Sequence, residues 1–293
     1  MTHVSDMLWM PQSSVDVRKL KAELTVVPES FRGDAKPLKL YKTTSSAIGV
    51  PRNWGLRQQW LGLSDVKDRT VNPGLTWPHV SFPSEGTYWS GQSRSIDAIE
   101  KAFQNGKYGA LLEAPCGSGK TLMGLSVASR LNVPTLVVVH KTDLSEQWHD
   151  TAKVFFGSAS VGHIQQGTWD YKNKHMVTAT AQTLYRRRAE LPEDFKEQFG
   201  LVIYDEGHRY PARTFEDVLR MFPCRYRLGV SATWRRNDKL ECVWHWHIGQ
   251  VEHRTESTRL TGNWIQIPWA TSITDRMCKS YGRVNSSKMI NAI

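Results

Sequence analysis

Short apolar runs alternate with amphipathic stretches between about residue 110 and residue 233. Each run has the length of a buried strand, and each stretch has apolar residues at the spacing of one helix face. The predicted strands are Gly109–Glu113, Thr135–Val139, His175–Thr180, Leu201–Tyr204 and Arg227–Ser231, and the predicted helices are Lys120–Leu131, Leu144–Phe155 and Thr214–Met221. This alternation predicts an α/β fold, a mostly parallel sheet with flanking helices whose ligands bind at the carboxyl ends of the strands.

The flanking regions follow different patterns. Turn-forming residues interrupt residues 1–85, as in the Pro51–Gly55 stretch, which indicates a small α+β or β-rich accessory domain. The alternation weakens after Gly249. We therefore expect an accessory domain at residues 1–85, the α/β domain at 86–250 and a C-terminal extension or linker at 251–293.

Composition narrows the class of protein. Hydrophobic residues make up 40% of the chain and charged residues 23%, as in globular proteins, and no apolar run is long enough to cross a membrane. The four cysteines contain no C-x-x-C pair, and no secretory signal is visible, so we expect a cytoplasmic location, in the host cytoplasm if the protein is viral. A net charge of +10 suits a polyanionic partner but also serves solubility alone.

A glycine-rich loop follows the first predicted strand and opens the first predicted helix. Glycines allow successive backbone N–H groups to converge on phosphate oxygens, and a helix N-terminus adds partial positive charge. Lys120 would neutralise the β- and γ-phosphates of ATP, and Thr121 would coordinate Mg²⁺. A structural glycine turn is the alternative, and Ala114 replaces the first glycine of the general pattern. The candidate nucleotide-binding residues here are Pro115, Cys116, Gly117, Ser118, Gly119, Lys120 and Thr121.

Two carboxylates follow the strand Leu201–Tyr204. Hydrolysis by a phosphate-loop protein needs one carboxylate on Mg²⁺ and a group that positions the attacking water. We expect Asp205 to hold the metal and Glu206 to orient the water or accept its proton, with Lys120 as the third catalytic residue. The alternative interpretation is that the two carboxylates are simply solvated residues at the end of a strand.

Polar residues that follow this pair and the next strand suit a relay from the γ-phosphate to the rest of the protein. They are His208, Ser231 and Thr233. Each is unremarkable alone, because a single histidine is usually just hydrogen-bonded and Ser-Ala-Thr is a common strand ending.

Together these motifs, in this order, resemble those of superfamily-2 helicases and translocases. The resemblance is to the DEAH-like branch that contains repair translocases and phage-encoded helicases, and it covers about Tyr88 to Gly249. It rests on Ala114–Thr121, Asp205–His208, Ser231–Thr233 and the upstream Gln92. It implies a RecA-like fold that uses ATP and Mg²⁺. The Pro51–Gly55 stretch resembles the N-terminal region of large viral and phage members.

The resemblance also implies further site residues. Gln92 matches the glutamine that reads the adenine edge. His140 and Lys141, and then Thr180 and Gln182, match two motifs that contact the nucleic-acid backbone. Arg186 begins a run of three arginines that would add counter-charge. A solvated basic helix face explains the arginine run equally well.

Two departures from the family pattern affect the expected function. Trp234 replaces the proline that usually follows Ser-Ala-Thr, and no Gln-x-x-Gly-Arg-x-x-Arg motif follows Thr233, after which about 60 residues remain. We therefore expect the ATP-binding motor half of a nucleic-acid-dependent ATPase, with DNA as the favoured partner and RNA still open. A second RecA-like domain would come from another polypeptide or be lost from a fragment. The alternative is a non-catalytic binding module with vestigial ATPase chemistry.

Alternating tryptophan and histidine at Trp244–His247 offers three interpretations. A metal site and a base-stacking platform are possible, but the period of two favours a strand with tryptophans packed inward.

Overall fold

The computed structural model describes residues 1–29, 36–74, 90–165, 167–210, 212–236 and 238–256, together with two short strands near the C-terminus. Two compact units are present, Met1–Ser257 and Thr258–Ile293. In the second unit, an antiparallel pair of two-residue strands occupies residues 279–280 and 283–284. No helix in the described ranges is both long and apolar enough to span a bilayer.

The N-terminal region of the first unit is built from short strands and two helices. Five of its strands form a sheet in the order β5-β6-β2-β1-β7, and β3 pairs with β4. The elements are β1 (His3–Val4), β2 (Leu8–Pro11), α1 (Val17–Glu23), β3 (Thr25–Val26), β4 (Leu38–Lys39), β5 (Lys42–Thr43), β6 (Ala47–Val50), α2 (Arg52–Arg57) and β7 (Lys67–Asp68). This is the α+β character that the sequence predicts.

The remainder of the first unit contains an eight-stranded sheet in the order β11-β10-β12-β9-β13-β14-β8-β15. Every pairing in it is parallel except that of β11. Its elements are α3 (Ser90–Gln104), β8 (Gly109–Glu113), α4 (Lys120–Leu131), β9 (Thr135–Val139), α5 (Thr142–Phe156), β10 (Val161–Gln165), β11 (Thr168–Trp169), β12 (Met176–Thr180), α6 (Ala181–Arg186), β13 (Leu201–Asp205), α7 (Ala212–Leu219), β14 (Tyr226–Ser231), α8 (Cys242–His247) and β15 (Val251–Arg254).

Burial on both faces explains why the central strands form a parallel sheet. Along β9, Leu136 and Val138 join one core cluster, whereas Val137 and Val139 join the other. This alternation reflects the period of two in a strand, and helices cover both faces as in other parallel sheets. The first of these clusters also contains apolar residues of the N-terminal sheet, so the two regions share a core.

Two buried arginines join the N-terminal region to the parallel sheet. Arg52 of α2 donates to the backbone carbonyls of Cys224 at 2.7 Å and Tyr108 at 3.4 Å. In the opposite direction, Arg227 of β14 donates to the carbonyl of Asp6 at 2.7 Å. Burial, followed by the nearby charge of Arg227, lowers the pKa of Arg52 to about 9, so the guanidinium remains protonated at neutral pH. A buried charge requires such partners, which makes this contact specific.

The structure corrects the strand expected at Trp244–His247. This segment is the helix α8, in which Val243, Trp244 and His247 share the buried side. Their spacing of three and four residues is helical, and the ring of Trp244 packs on Phe215 with centroids 3.9 Å apart. Tryptophan and histidine alternate with a period of two in the sequence, but the buried side chains recur every three to four residues. The alternation of residue types therefore led to a wrong prediction.

The sequence analysis also missed both outer parts of the sheet. The strand β10 was not predicted, and β15 lies beyond residue 250, where we expected the α/β domain to end. β15 pairs in parallel with β8 and contains only polar residues after Val251. A half-exposed edge strand of this kind carries little hydrophobic signal.

We expect Arg52→Met to lower the free energy of unfolding by about 3 kcal/mol, because buried carbonyls lose their charged donor. Urea denaturation monitored by circular dichroism measures this change. Arg18→Met is the matched control, since Arg18 is exposed on α1. Equal stability of the two variants would contradict a structural role for Arg52.

Candidate nucleotide-binding site

The glycine-rich loop connects β8 to α4 and needs glycine at two positions. Gly117 and Gly119 have φ angles of 78° and 82°, in the left-handed region that side chains disfavour. A Cβ atom on Gly119 would also lie 2.4 Å from Nε2 of Gln92. The loop closes on itself through Ser118, whose hydroxyl donates to the carbonyl of Pro115 at 2.7 Å. The sequence thus produces a compact loop at the start of α4, with Cys116 exposed on it.

Lys120 is the first residue of α4, and its ammonium points back into this loop. Nζ lies 3.0 Å from Oε1 of Glu206, and 3.4 Å and 3.5 Å from the carbonyl oxygens of Ala114 and Pro115. Both charged side chains are largely buried. The ammonium therefore has only oxygen partners, and phosphate oxygens could replace them.

Asp205 ends β13 with one carboxylate oxygen engaged and the other free. Oδ2 accepts a hydrogen bond of 2.8 Å from the indole N–H of Trp148 on α5. Oδ1 is buried and has no hydrogen-bond partner in the described part of the chain. Burial raises the pKa of Asp205 to about 6, and the hydrogen bond from Trp148 opposes that rise. An orphaned buried carboxylate oxygen suits a hard cation such as Mg²⁺, which oxygen ligands bind.

Glu206 follows with a left-handed backbone, φ 50°. Burial acts to raise its pKa, but the hydrogen bond and charge of Lys120, the charge of His208 and a hydrogen bond from Ser231 together hold the pKa below its usual value. The side chain is therefore ionised at neutral pH. Its position between a cation and a hydroxyl allows it to accept a proton once Lys120 moves away.

Two of the expected relay residues contact this carboxylate, and the third reaches it through Ser231. The Ser231 hydroxyl is 3.2 Å from Oε2 of Glu206 and 2.8 Å from Nδ1 of His208, and Nδ1 itself is 3.3 Å from Oε2. Thr233 joins through its backbone, since its N–H donates to the Ser231 hydroxyl at 3.2 Å. A hydroxyl carries a single proton, which Ser231 can give either to Glu206 or to the carbonyl of Thr233, 2.6 Å away. These residues form one connected polar network.

Gln92 lies on α3 against the same loop. Its amide nitrogen donates to the carbonyl of Ser118 at 2.9 Å. The expected adenine-reading residue is thus brought to the edge of the glycine-rich loop, beside Gly119.

The expected nucleic-acid residues follow two adjacent parallel strands. His140 and Lys141 come after β9, and Thr180, which pairs with Val139 in register, ends β12. Lys141 is exposed, as are Gln182 and Arg186 on α6. The hydroxyl of Thr180 accepts from the N–H of Thr183 at 3.1 Å as the N-cap of α6. That hydroxyl is therefore already used to begin a helix.

Sequence reasoning missed the role of Trp148. A tryptophan on a predicted helix is usually a core residue, so its sequence position alone does not indicate a contact with the site. The signal that could have identified it is the indole N–H, which has to find an acceptor when it is buried.

A known protein family and known proteins match a large part of this chain. Residues 87–236 match the family described as the type III restriction enzyme, res subunit. The chain belongs to this family. A protein of Acanthamoeba polyphaga mimivirus named as an ATP-dependent RNA helicase is 31% identical over 286 residues, which are 94% of this chain and 53% of the relative. A DNA 3'-5' translocase, XPB2, of Sulfurisphaera tokodaii is 29% identical over 167 residues, 56% of this chain and 36% of the relative.

The chain thus spans about half or less of the length of these relatives of the res-subunit family. Among solved structures, the UvsW helicase from bacteriophage T4 matches with a TM-score of 0.57 at 15% identity, covering 81% of this chain and 92% of that chain. This likeness shows the fold, and the comparisons together confirm the resemblance to superfamily-2 helicases with a RecA-like domain.

We expect Trp148→Phe to raise the pKa of Asp205 above about 6, by up to roughly one unit, because the carboxylate loses its donor. The ¹³C chemical shift of the Asp205 carboxyl, followed by NMR through a pH titration, reports this change.

Trp244→Phe is the matched control, because Trp244 is just as buried as Trp148 but its indole N–H has no hydrogen-bond partner among the residues that the structure describes. An unchanged Asp205 titration in the Trp148→Phe variant would show that the hydrogen bond is weak.

Proposed function

We propose that this chain is the ATP-binding motor domain of a nucleic-acid-dependent ATPase of the helicase or translocase type. The observation that carries the proposal is the meeting of Lys120, Glu206 and the orphaned Asp205 oxygen at the carboxyl ends of neighbouring strands. Each group matches one need of phosphoryl transfer: a cation on the phosphates, a base for water and a ligand for a metal.

ATP binding would replace Glu206 as the ionic partner of Lys120. The γ-phosphate offers Lys120 a stronger anionic partner than Glu206, so the ammonium would turn towards it. Glu206 would then be free to orient the attacking water and accept its proton, with Ser231 and His208 holding its other oxygen. Mg²⁺, when bound, would neutralise phosphate charge, and Asp205 and Thr121 are the residues that would hold it.

We propose nucleic acid as the activator, with DNA favoured and RNA retained as an alternative. Support comes from the exposed Lys141, Gln182 and Arg186, which follow adjacent strands at one edge of the sheet. Backbone contacts of this type fix the position of a strand without reading its sequence. One relative is named as an RNA helicase and another as a DNA translocase.

Full turnover would require a second RecA-like domain, in the same or another polypeptide. An arginine supplied to the transition state raises phosphoryl-transfer rates by about 10³- to 10⁵-fold in enzymes that use one. ATP-driven movement also needs two bodies whose relative geometry the nucleotide changes. The motifs of this chain supply one side of such a site.

We expect Glu206→Gln to reduce ATP turnover by at least about 100-fold while nucleotide binding persists, because the amide cannot accept the proton. Steady-state hydrolysis with and without single-stranded DNA, forked DNA and RNA measures turnover, and a fluorescent ATP analogue measures binding. Glu23→Gln, at an exposed position on α1, is the control. Unchanged turnover in Glu206→Gln would show that Glu206 is not the base. Nucleotide binding without turnover in the wild type would favour a binding module that uses ATP only as a switch.

We expect Mg²⁺-dependent nucleotide binding to weaken as pH falls below about 6, since Asp205 must lose its proton to hold a cation. Because the pKa of Asp205 is raised to about 6, its carboxylate is protonated below that pH, and Mg²⁺ then competes with the proton. Below that pH the decline approaches tenfold per unit. Mg²⁺ titrations of nucleotide binding at pH 7.5 and 5.5 measure it.

Asp205→Asn separates this effect from protonation of ATP itself. The variant should bind nucleotide with little dependence on Mg²⁺, and the remaining pH dependence belongs to the nucleotide. If wild type and Asp205→Asn show the same pH dependence, Asp205 is not the titrating ligand.

A further inference from the structure

A pocket of about 550 Å³ lies between α2 and α8, apart from the nucleotide-binding site. Its volume exceeds that of one nucleotide and falls in the usual range for small-ligand sites. None of its lining residues takes part in the chemistry described above. They are Asn53, Trp54, Arg57, Gln58, Cys242, His245, Trp246 and Gln250.

The topology places this pocket away from the glycine-rich loop. Gln250 immediately precedes β15, which runs parallel to β8 at the edge of the sheet. The start of β15 therefore lies at the opposite end of the sheet from the loop that follows β8. The side-chain amide of Asn53 donates to the carbonyl of Ile248, which joins α2 to the segment between α8 and β15.

Aromatic rings form one side of the pocket and extend to its rim. The rings of Trp54 and Trp246 lie 6.1 Å apart at an interplanar angle of 56°, and Trp60 packs edge-on against Trp54 at 6.5 Å. Beside the pocket, Leu56 near the end of α2 is 37% exposed, and Trp60, three residues after α2, is 38% exposed. Clustered exposed apolar side chains indicate a surface that contacts another molecule.

The polar groups of the pocket suit a base and its phosphate. Asn53, Gln58 and Gln250 carry carboxamides, which both donate and accept hydrogen bonds as base edges do. Arg57 is exposed at the pocket, and none of the described lining residues is a carboxylate. Lys19 adds a second cation 3.9 Å from the ring of Trp60. An anionic ligand with a flat aromatic part fits this combination better than an acidic or purely aliphatic one.

We infer that this pocket binds a nucleobase of single-stranded nucleic acid, with Trp246 stacking on the base and Arg57 contacting the adjacent phosphate. The inference rests on the proposed function, to which it adds a second nucleic-acid contact at the other end of the sheet. Stacking on tryptophan tolerates any base, so the site binds strands without reading sequence.

Photo-crosslinking locates the contact. A 12-nucleotide oligothymidylate with one 5-iododeoxyuridine is irradiated on the full chain, and tryptic peptides are mapped by mass spectrometry. Adducts at residues 240–254 or 58–67, which contain Trp246 and Trp60, are expected. Adducts confined to residues 142–153 and 175–186, beside the expected helicase contacts, would overturn the pocket and leave the proposed function intact.

Affinity measurements test the contribution of stacking. Trp246→Ala should weaken oligonucleotide binding by roughly tenfold or more, whereas Trp246→Phe retains a ring and stays within about threefold of wild type. Arg57→Gln should weaken binding and reduce its salt dependence, unlike Lys101→Gln at an exposed position on α3. Fluorescence anisotropy at several salt concentrations gives these values, and thermal melting shows that each variant is folded.

The outcomes separate the two proposals. A wild-type chain that binds no oligonucleotide would overturn the proposed function and this inference together. Wild-type binding with unchanged affinity in Trp246→Ala and Arg57→Gln would overturn only the pocket. If Trp246→Ala fails to fold, Arg57→Gln and the crosslink map decide, since neither requires loss of the half-buried ring of Trp246.

Discussion

Burial of both faces of the parallel sheet is the constraint on which the rest of this structure depends. Along β9 and β13 every side chain is buried, so polar chemistry can begin only where a strand ends. Because the strands are parallel, those ends meet at one edge. Asp205 and Ser231 stand there at the ends of adjacent strands, and Lys120 follows the loop after β8. The buried strands therefore restrict the polar site residues to the carboxyl ends of the sheet.

At the carboxyl ends of these strands, the charged side chains of Lys120 and Glu206 neutralise each other. The Lys120–Glu206 pair is largely buried, and a buried charge without a partner would cost several kcal/mol. Each ion thus satisfies the other until a phosphate provides a better anion for the lysine. Asp205 differs, because burial raises its pKa to about 6 and one of its oxygens has no hydrogen-bond partner in the described ranges. Lys120 and Glu206 thus neutralise each other, whereas Asp205 keeps a buried oxygen that suits the proposed metal.

Sequence reasoning succeeded where local chemistry and burial agree. The bounds of β8, β9 and α4 were predicted to the residue, because buried strands and a glycine-rich loop both leave strong local signals. It failed where long-range contacts decide. The type of α8 depends on Trp244 packing against Phe215, and the exposed edge strand β15 depends on its neighbour β8. The carbonyl partners of Arg52 are up to 172 residues away in the chain, a distance that no local pattern encodes.

The side chain of Trp148 links two motifs that are far apart in the sequence, the one that follows β9 and the acidic pair at the end of β13. The helix α5 starts directly after Lys141, and two turns later the indole N–H of Trp148 reaches Asp205 at 2.8 Å. The same ring packs so closely on α4 that a Cβ atom on Gly124 would lie 2.7 Å from it. The helix α5 thus begins at the expected nucleic-acid surface and, through the single ring of Trp148, contacts both α4 and the Asp205 carboxylate. We therefore expect a displacement at Lys141 to reach the Asp205 carboxylate, the proposed metal ligand, through one helix and one hydrogen bond.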